Sequence, residues 1–300
     1  MKLIKMINIF VIAIFIIFLI DYPMNGFIMK WITKEAVGIK PWLPEQYIPF
    51  TYRYASYLGH YIYTAECYLI FFILNKAYQH KTKRYLLNNK IVYGVSLLGI
   101  LSTGSRTGFL LILFLMVFTT FTGRRRLTGM FLLSTFLIAG QLLGVFDLVI
   151  NRFAEGFQNT NLTSGRNGAW KALFASSAIH IKWFSGVGFR ISDYIAKFIG
   201  ETKADIVLEY PFLSYFYMYG IVNGCVFIGL IVLYPIYRLL KNKEYTLSVM
   251  VLSLFIMINT YNSILAMPDS VILYVITIVI LFFISGIKNS VRRDGKGSLQ

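Results

Sequence analysis

Residues 6–20 read MINIFVIAIFIIFLI, a run that is apolar throughout except for Asn8. A helix needs about 20 such residues to cross the hydrocarbon core of a bilayer. No small-residue cleavage site follows, only Asp21-Tyr22-Pro23, so the run reads as a retained transmembrane helix rather than a signal peptide. Working outward, comparable apolar runs recur, and the predicted spans are 4–20, 51–75, 88–103, 107–123, 127–150, 211–239, 246–266 and 270–287. The chain of 300 residues is 57% hydrophobic and 17% aromatic, with a mean hydropathy of +0.65, too apolar for a soluble domain. The fold class expected is an all-α integral membrane protein: one polytopic membrane domain over residues 1–300, with about eight transmembrane helices.

Charge placement sets the orientation. A net charge of +16 suggests nucleic acid in a soluble protein. Here the basic residues fall where the positive-inside rule puts them, and no nucleic-acid partner is expected. Seventeen of the 29 Lys and Arg lie at Lys2 and Lys5, in 76–90, in Arg124-Arg125-Arg126, in 238–244 and beyond residue 287, with only Glu244 and Asp294 among the acids. Both termini are therefore expected in the cytoplasm. The segments 21–50 and 151–210 then face outward. A single helix from Ile91 to Thr122 is the other way to draw the third and fourth spans. It buries Arg106 mid-helix and sends Arg124-Arg125-Arg126 to the side opposite the basic loop 76–90, whereas two crossings keep both clusters together. Cys67 and Cys225 both lie in apolar segments, so neither a disulfide framework nor a metal-ligand spacing exists, and both read as packing residues.

The loop 151–210 is too long to be a mere connection. A helix starting at Ser164-Gly165 would carry Trp170, Leu173, Phe174, Ile181 and Phe184 on one apolar face. Two compatible readings exist: an interfacial helix on the outer leaflet, and a lid over a site that receives lipid-linked substrates.

Walker loops, dinucleotide fingerprints and Gly-x-Ser-x-Gly elbows are absent, which disfavours a cytoplasmic nucleotide-dependent enzyme. What remains is charge in or beside apolar helices, a functional candidate by its cost. In the second span Arg53, Ser56, Tyr57, His60 and Thr64 are spaced to share one helical face, which lines a polar cavity or a helix–helix seam; Arg53 and His60 together favour the cavity. Singly, Arg53 also reads as a snorkelling interface residue and His60 as a packing histidine. Glu66 lies on the opposite face and is expected to pair with another helix. Ser102-Thr103-Gly104-Ser105-Arg106-Thr107-Gly108 forms an outer turn, with Ser105 capping the next helix and Arg106 at its N-terminus. The outer loop adds Arg166 and Arg190. Four arginines with no neighbouring acid suit a diphosphate, which their forked donors bind in pairs.

Four pieces then resemble, in order, the O-antigen ligase and polymerase family, the Wzy-type enzymes of bacterial surface polysaccharide assembly. They are Tyr52-Arg53-Tyr54-Ala55-Ser56-Tyr57-Leu58-Gly59-His60, and Leu101-Ser102-Thr103-Gly104-Ser105-Arg106-Thr107-Gly108. Gly165-Arg166 with Trp170 and Phe184-Ser185-Gly186-Val187-Gly188 follow in the outer loop. The last is Glu209-Tyr210-Pro211-Phe212-Leu213 with Gly220-Ile221-Val222-Asn223-Gly224, where the chain re-enters the membrane.

The resemblance implies a glycosyltransferase that uses undecaprenyl-diphosphate-linked sugars and needs no cofactor, nucleotide sugar or metal. Its partners would be lipid-linked oligosaccharide donor and acceptor, membrane lipids, and flippase and chain-length regulator proteins. Arg53, Arg106, Arg166 and Arg190 would hold the diphosphate, and Glu209 or His60 would activate the acceptor hydroxyl. Glu209-Tyr210 stands where ligases often carry His-Asn, which favours a polymerase over a ligase. Glu209 also reads as a surface acid or an arginine's ion-pair partner. Members usually carry several more spans before the first motif, so the resemblance makes this chain short on its N-terminal side. A transporter or flippase of lipid-linked saccharides is the competing reading, although such proteins usually show repeated halves; a non-catalytic subunit of an assembly complex is a third.

Overall fold

The computed structural model describes residues 1–21, 24, 26–35, 53–56, 58, 60–121, 147–158, 174, 180–188, 211–260 and 268–287. Every regular element among them is helical: α1 (Lys2–Asp21), α2 (Phe27–Glu35), α3 (Tyr61–Thr82), α4 (Asn89–Ser102), α5 (Arg106–Phe121), α6 (Asp147–Gln158), α7 (Pro211–Tyr219), α8 (Ile221–Ile228), a π turn (Gly229–Leu233), α9 (Tyr234–Lys241), α10 (Tyr245–Ile258) and α11 (Pro268–Ser285).

Helix α3 is the axis of the bundle. Every residue from Thr64 to Tyr78 is buried, because α1, α4, α5, α10 and α11 all pack against it. A helix surrounded on all sides needs no polar face, and α3 has none over this stretch. Several of its polar side chains are matched individually. Asn75 and Asn8 of α1 exchange two hydrogen bonds, at 3.0 and 2.8 Å, and Asn75 also donates to the Phe71 carbonyl at 2.8 Å. Lys76 donates to Asn89 and Gln79 and lies over the Tyr93 ring. Toward the loop 242–244, Lys81 pairs with Glu244 at 2.5 Å, tying the end of α3 to the start of α10.

The outside of the bundle is apolar. Ile9 and Ile16 of α1, Leu230 in the π turn, and Val279 and Phe283 of α11 are all exposed, as suits helices whose solvent is lipid. Two helices among the described residues are long and apolar enough to cross a bilayer, α1 and the continuous α8–α9 stretch Ile221–Lys241. Shorter apolar helices lie at Asn89–Ser102, Arg106–Thr120, Tyr245–Ile258 and Val271–Ser285.

Several expectations are met at element level and three are corrected. Predicted spans 4–20, 88–103, 107–123, 246–266 and 270–287 each contain a helix. The span 127–150 lies outside the described residues as far as 146, and α6 continues past its end into the predicted outer loop. The span 51–75 is the first correction, because the helix begins only at Tyr61 and runs to Thr82. The span 211–239 is the second. It breaks at Gly220, whose φ of +89° only glycine tolerates well. Helix α7 folds back along α8, with Phe212 and Tyr215 meeting Phe227 at 6.3 and 4.2 Å between ring centroids. The third correction is the amphipathic stripe of the outer loop: residues 180–188 are not helical, so Ile181 and Phe184 cannot continue a face begun at Trp170. Cys67 packs in the core, whereas Cys225 is exposed.

A proline shapes the α8–α9 stretch. Pro235 has no N–H for the carbonyl of Ile231, four residues earlier. The buried Tyr274 hydroxyl of α11 donates to that carbonyl at 3.1 Å. The ladder is disturbed at the same place by the π turn, in which the Tyr234 N–H reaches back to Gly229.

Candidate functional site

The first two sequence motifs meet at the N-terminal end of α3. Residues 53–55 belong to no helix. The Tyr54 N–H donates to the Ser102 carbonyl at 2.8 Å, and Arg53 Nε donates to the Thr103 carbonyl at 3.1 Å. Arg53 is thus docked on the turn that joins α4 to α5. Gly104 takes φ +60° in that turn. Ser105 then caps α5 as its sequence position predicts, with Oγ accepting the Gly108 N–H at 3.1 Å. Arg106 is the first residue of α5, where the helix presents its positive end. Its guanidinium carbon lies 5.9 Å from the Phe153 ring centre.

The shared helical face predicted for Arg53, Ser56, Tyr57, His60 and Thr64 does not exist. Ser56 has φ +53°, in the left-handed region, and the chain bends there. Ser56 and Thr64 hold this bend. The Thr64 hydroxyl donates to the Ala55 carbonyl at 2.6 Å and lies 2.9 Å from Ser56 Oγ. Tyr57 lies outside the described residues.

His60 is the N-cap of α3. Its Nδ1 accepts the Tyr63 N–H at 3.4 Å, and its ring stacks on Tyr61 with centroids 4.8 Å apart. Arg53 lies over the same Tyr61 ring, 2.9 Å from its centre. Burial, followed by the positive charge of Arg53, lowers the pKa of His60 from 6.5 to about 4. The ring is therefore neutral at pH 7. With Nδ1 accepting, Nε2 carries the proton and is a donor.

A buried carboxylate missed in sequence supports the cluster from below. Asp21, at the end of α1, accepts the Ile28 and Met29 N–H groups of α2 at 2.7 and 3.1 Å and the Tyr54 hydroxyl at 3.4 Å. Its place before a Pro and Gly, ahead of the short helix α2, was the available signal.

The third and fourth motifs meet in a second cluster. The Val187 and Gly188 N–H groups donate to the Tyr217 and Met218 carbonyls at 3.0 and 3.1 Å. In return, the Ile221 and Val222 N–H groups donate to the carbonyls of Lys182 and Trp183, both at 3.0 Å. The first-turn donors of α8 are thus satisfied by the loop. A Cβ on Gly186 would stand 2.2 Å from the Met218 backbone, and one on Gly220 2.8 Å from the Ser185 nitrogen. Both glycines are needed for the close approach.

Of the six predicted site residues, Arg53, His60 and Arg106 border the α4–α5 turn and the start of α3. Arg166, Arg190 and Glu209 lie outside the described residues. A cavity among the described residues lies elsewhere. It has a volume of about 270 Å³ and lies between α1, α3 and α11, lined by apolar side chains with Tyr63 and Cys67. No family model, curated protein or solved structure matches this chain.

Proposed function

We propose that the chain is a multi-pass enzyme of the bacterial cytoplasmic membrane that polymerises undecaprenyl-diphosphate-linked oligosaccharide repeat units on its outer face. The observation that carries this reading is the docking of Arg53 on the Ser102–Gly108 turn, which brings it to the turn from which Arg106 opens α5. Two separate motifs of the resemblance, 50 residues apart by their bonded pair, thereby meet at one helix N-terminus, where a basic corner would suit a diphosphate.

In the proposed reaction the acceptor hydroxyl oxygen attacks the anomeric carbon of the donor sugar. The bond from that carbon to the diphosphate oxygen breaks, and the lipid diphosphate leaves. Arg53, Arg106, Arg166 and Arg190 stabilise the leaving charge. Glu209 accepts the acceptor's proton. His60, whose Nδ1 is engaged and whose Nε2–H is a donor, fits a positioning role better than that of the base.

The reading is tested by the glycan that accumulates on the lipid carrier when the protein is lost. Single repeat units facing outward are expected; units retained on the cytoplasmic face would instead mark a flippase. Arg53→Lys and Arg106→Lys should each restore polymer at least ~10-fold less well than the native chain, because lysine lacks the planar fork. Full restoration by both would remove the two arginines from the site.

A further inference from the structure

The outer face of the α8–α9 stretch is a continuous apolar stripe that ends beneath two exposed aromatic rings. Val226, Leu230, Leu233 and Tyr237 are 54–64% exposed and follow spacings of four, three and four, hence one helical face. Asn223, three residues before Val226, tops the same stripe, and its Nδ2 donates to the Phe184 carbonyl at 3.2 Å. Phe184 and its neighbour Trp183 are 76% and 66% exposed. Their rings protrude, yet their backbone is fixed: Val222 N–H holds the Trp183 carbonyl, Ile221 N–H holds that of Lys182, and Gly186 leaves no room for adjustment.

We infer that Lys182, Trp183 and Phe184 form a fixed aromatic anchor seated in the headgroup region of the outer leaflet, directly above the lipid-facing stripe of α8. The occupant of this surface is the bilayer itself, an inference that rests on the membrane-spanning reading of α8–α9. Three observations select it. Below Asn223, the tip continues a stripe whose exposed side chains, Val226, Leu230, Leu233 and Tyr237, are all apolar or aromatic. The 21 residues of Ile221–Lys241 rise about 30 Å at ~1.5 Å each, matching the hydrocarbon thickness, so the tip falls at the boundary when Lys241 sits at the other. Trp beside Lys is the pairing favoured at that depth, where a ring meets the acyl chains and an ammonium meets phosphate. The loop is thereby held at headgroup level, the level at which a lipid diphosphate presents its sugar.

The test uses the full chain with Trp31, Trp42 and Trp170 replaced by Phe, reconstituted in phosphatidylcholine vesicles brominated near the headgroup or near the chain end. Trp183 fluorescence should be quenched roughly twofold more by shallow than by deep bromine. A second probe, Leu230→Trp with Trp183→Phe, should be quenched by bromolipid as well, more by the deep label. If Leu230→Trp is quenched and Trp183 is not, the anchor is wrong although the helix spans. If neither is quenched, the spanning reading itself falls. Trp183 quenched only by aqueous iodide would overturn the anchor in favour of a water-facing surface such as a glycan platform. Protection from both quenchers would overturn it in favour of a protein partner or a second copy.

Discussion

A histidine whose Nδ1 accepts a backbone N–H is committed to one neutral tautomer, and His60 is held this way at the start of α3. Its lowered pKa gives the sign of a pH effect. Above about pH 6.5 the ring is neutral in both folded and unfolded chains. Between 6.5 and about 4 the unfolded ring takes up a proton that the folded one refuses, so stability falls as the pH drops through that window. His60→Asn keeps a cap acceptor and removes the titration. Thermal unfolding in detergent should therefore lose midpoint less steeply over this range in the variant; an unchanged slope would mean that His60 is not buried beside Arg53. Sequence reading located His60 and Arg53 correctly as neighbours but for the wrong reason. Spacings of three and four fit a helix in any apolar segment, whereas the left-handed Ser56 and the Tyr54–Ser102 hydrogen bond are set by tertiary packing. Ser105 was legible because a cap is decided within four residues.

At the scale of elements, Pro235 and Tyr274 act as a pair. Replacing Tyr274 by Phe leaves the Ile231 carbonyl without the hydroxyl that Pro235 makes necessary, and should cost ~1–3 kcal/mol. Pro235→Ala returns a backbone N–H, so Tyr274→Phe should be markedly less harmful in that background. Thermal unfolding of the four proteins measures the coupling. Purely additive losses would show that the two residues act separately. Helix boundaries were legible where an apolar run met polar residues, as at both ends of α4 and at the start of α10, whereas α10 ends at Ile258, short of the predicted 266. They were not at Gly220, since a run from Pro211 to Leu239 has the composition of one span whether or not it folds back. The positive φ and the docking of Gly186 decide it, and both depend on a partner segment distant in sequence.

For the whole molecule, the charge distribution and the ion pair of Lys81 with Glu244 put the 82–90 and 241–245 loops on one side. With Cys67 and Cys225 replaced by Ala, single cysteines at positions 84, 125 and 243 should resist an impermeant thiol reagent in intact cells, while one at position 185 should react. External labelling at 125 would sink the eight-span arrangement. The polymerase reading is tested most directly by polymer formation by the purified chain in vesicles supplied with lipid-linked repeat units alone. Ladders of increasing glycan length on the lipid are predicted, abolished by Glu209→Gln and retained at a reduced level by His60→Ala, with folding verified for each. Unextended single units with correctly folded native protein, or undiminished ladders from Glu209→Gln, would contradict the polymerase reading in the first case and the carboxylate base in the second.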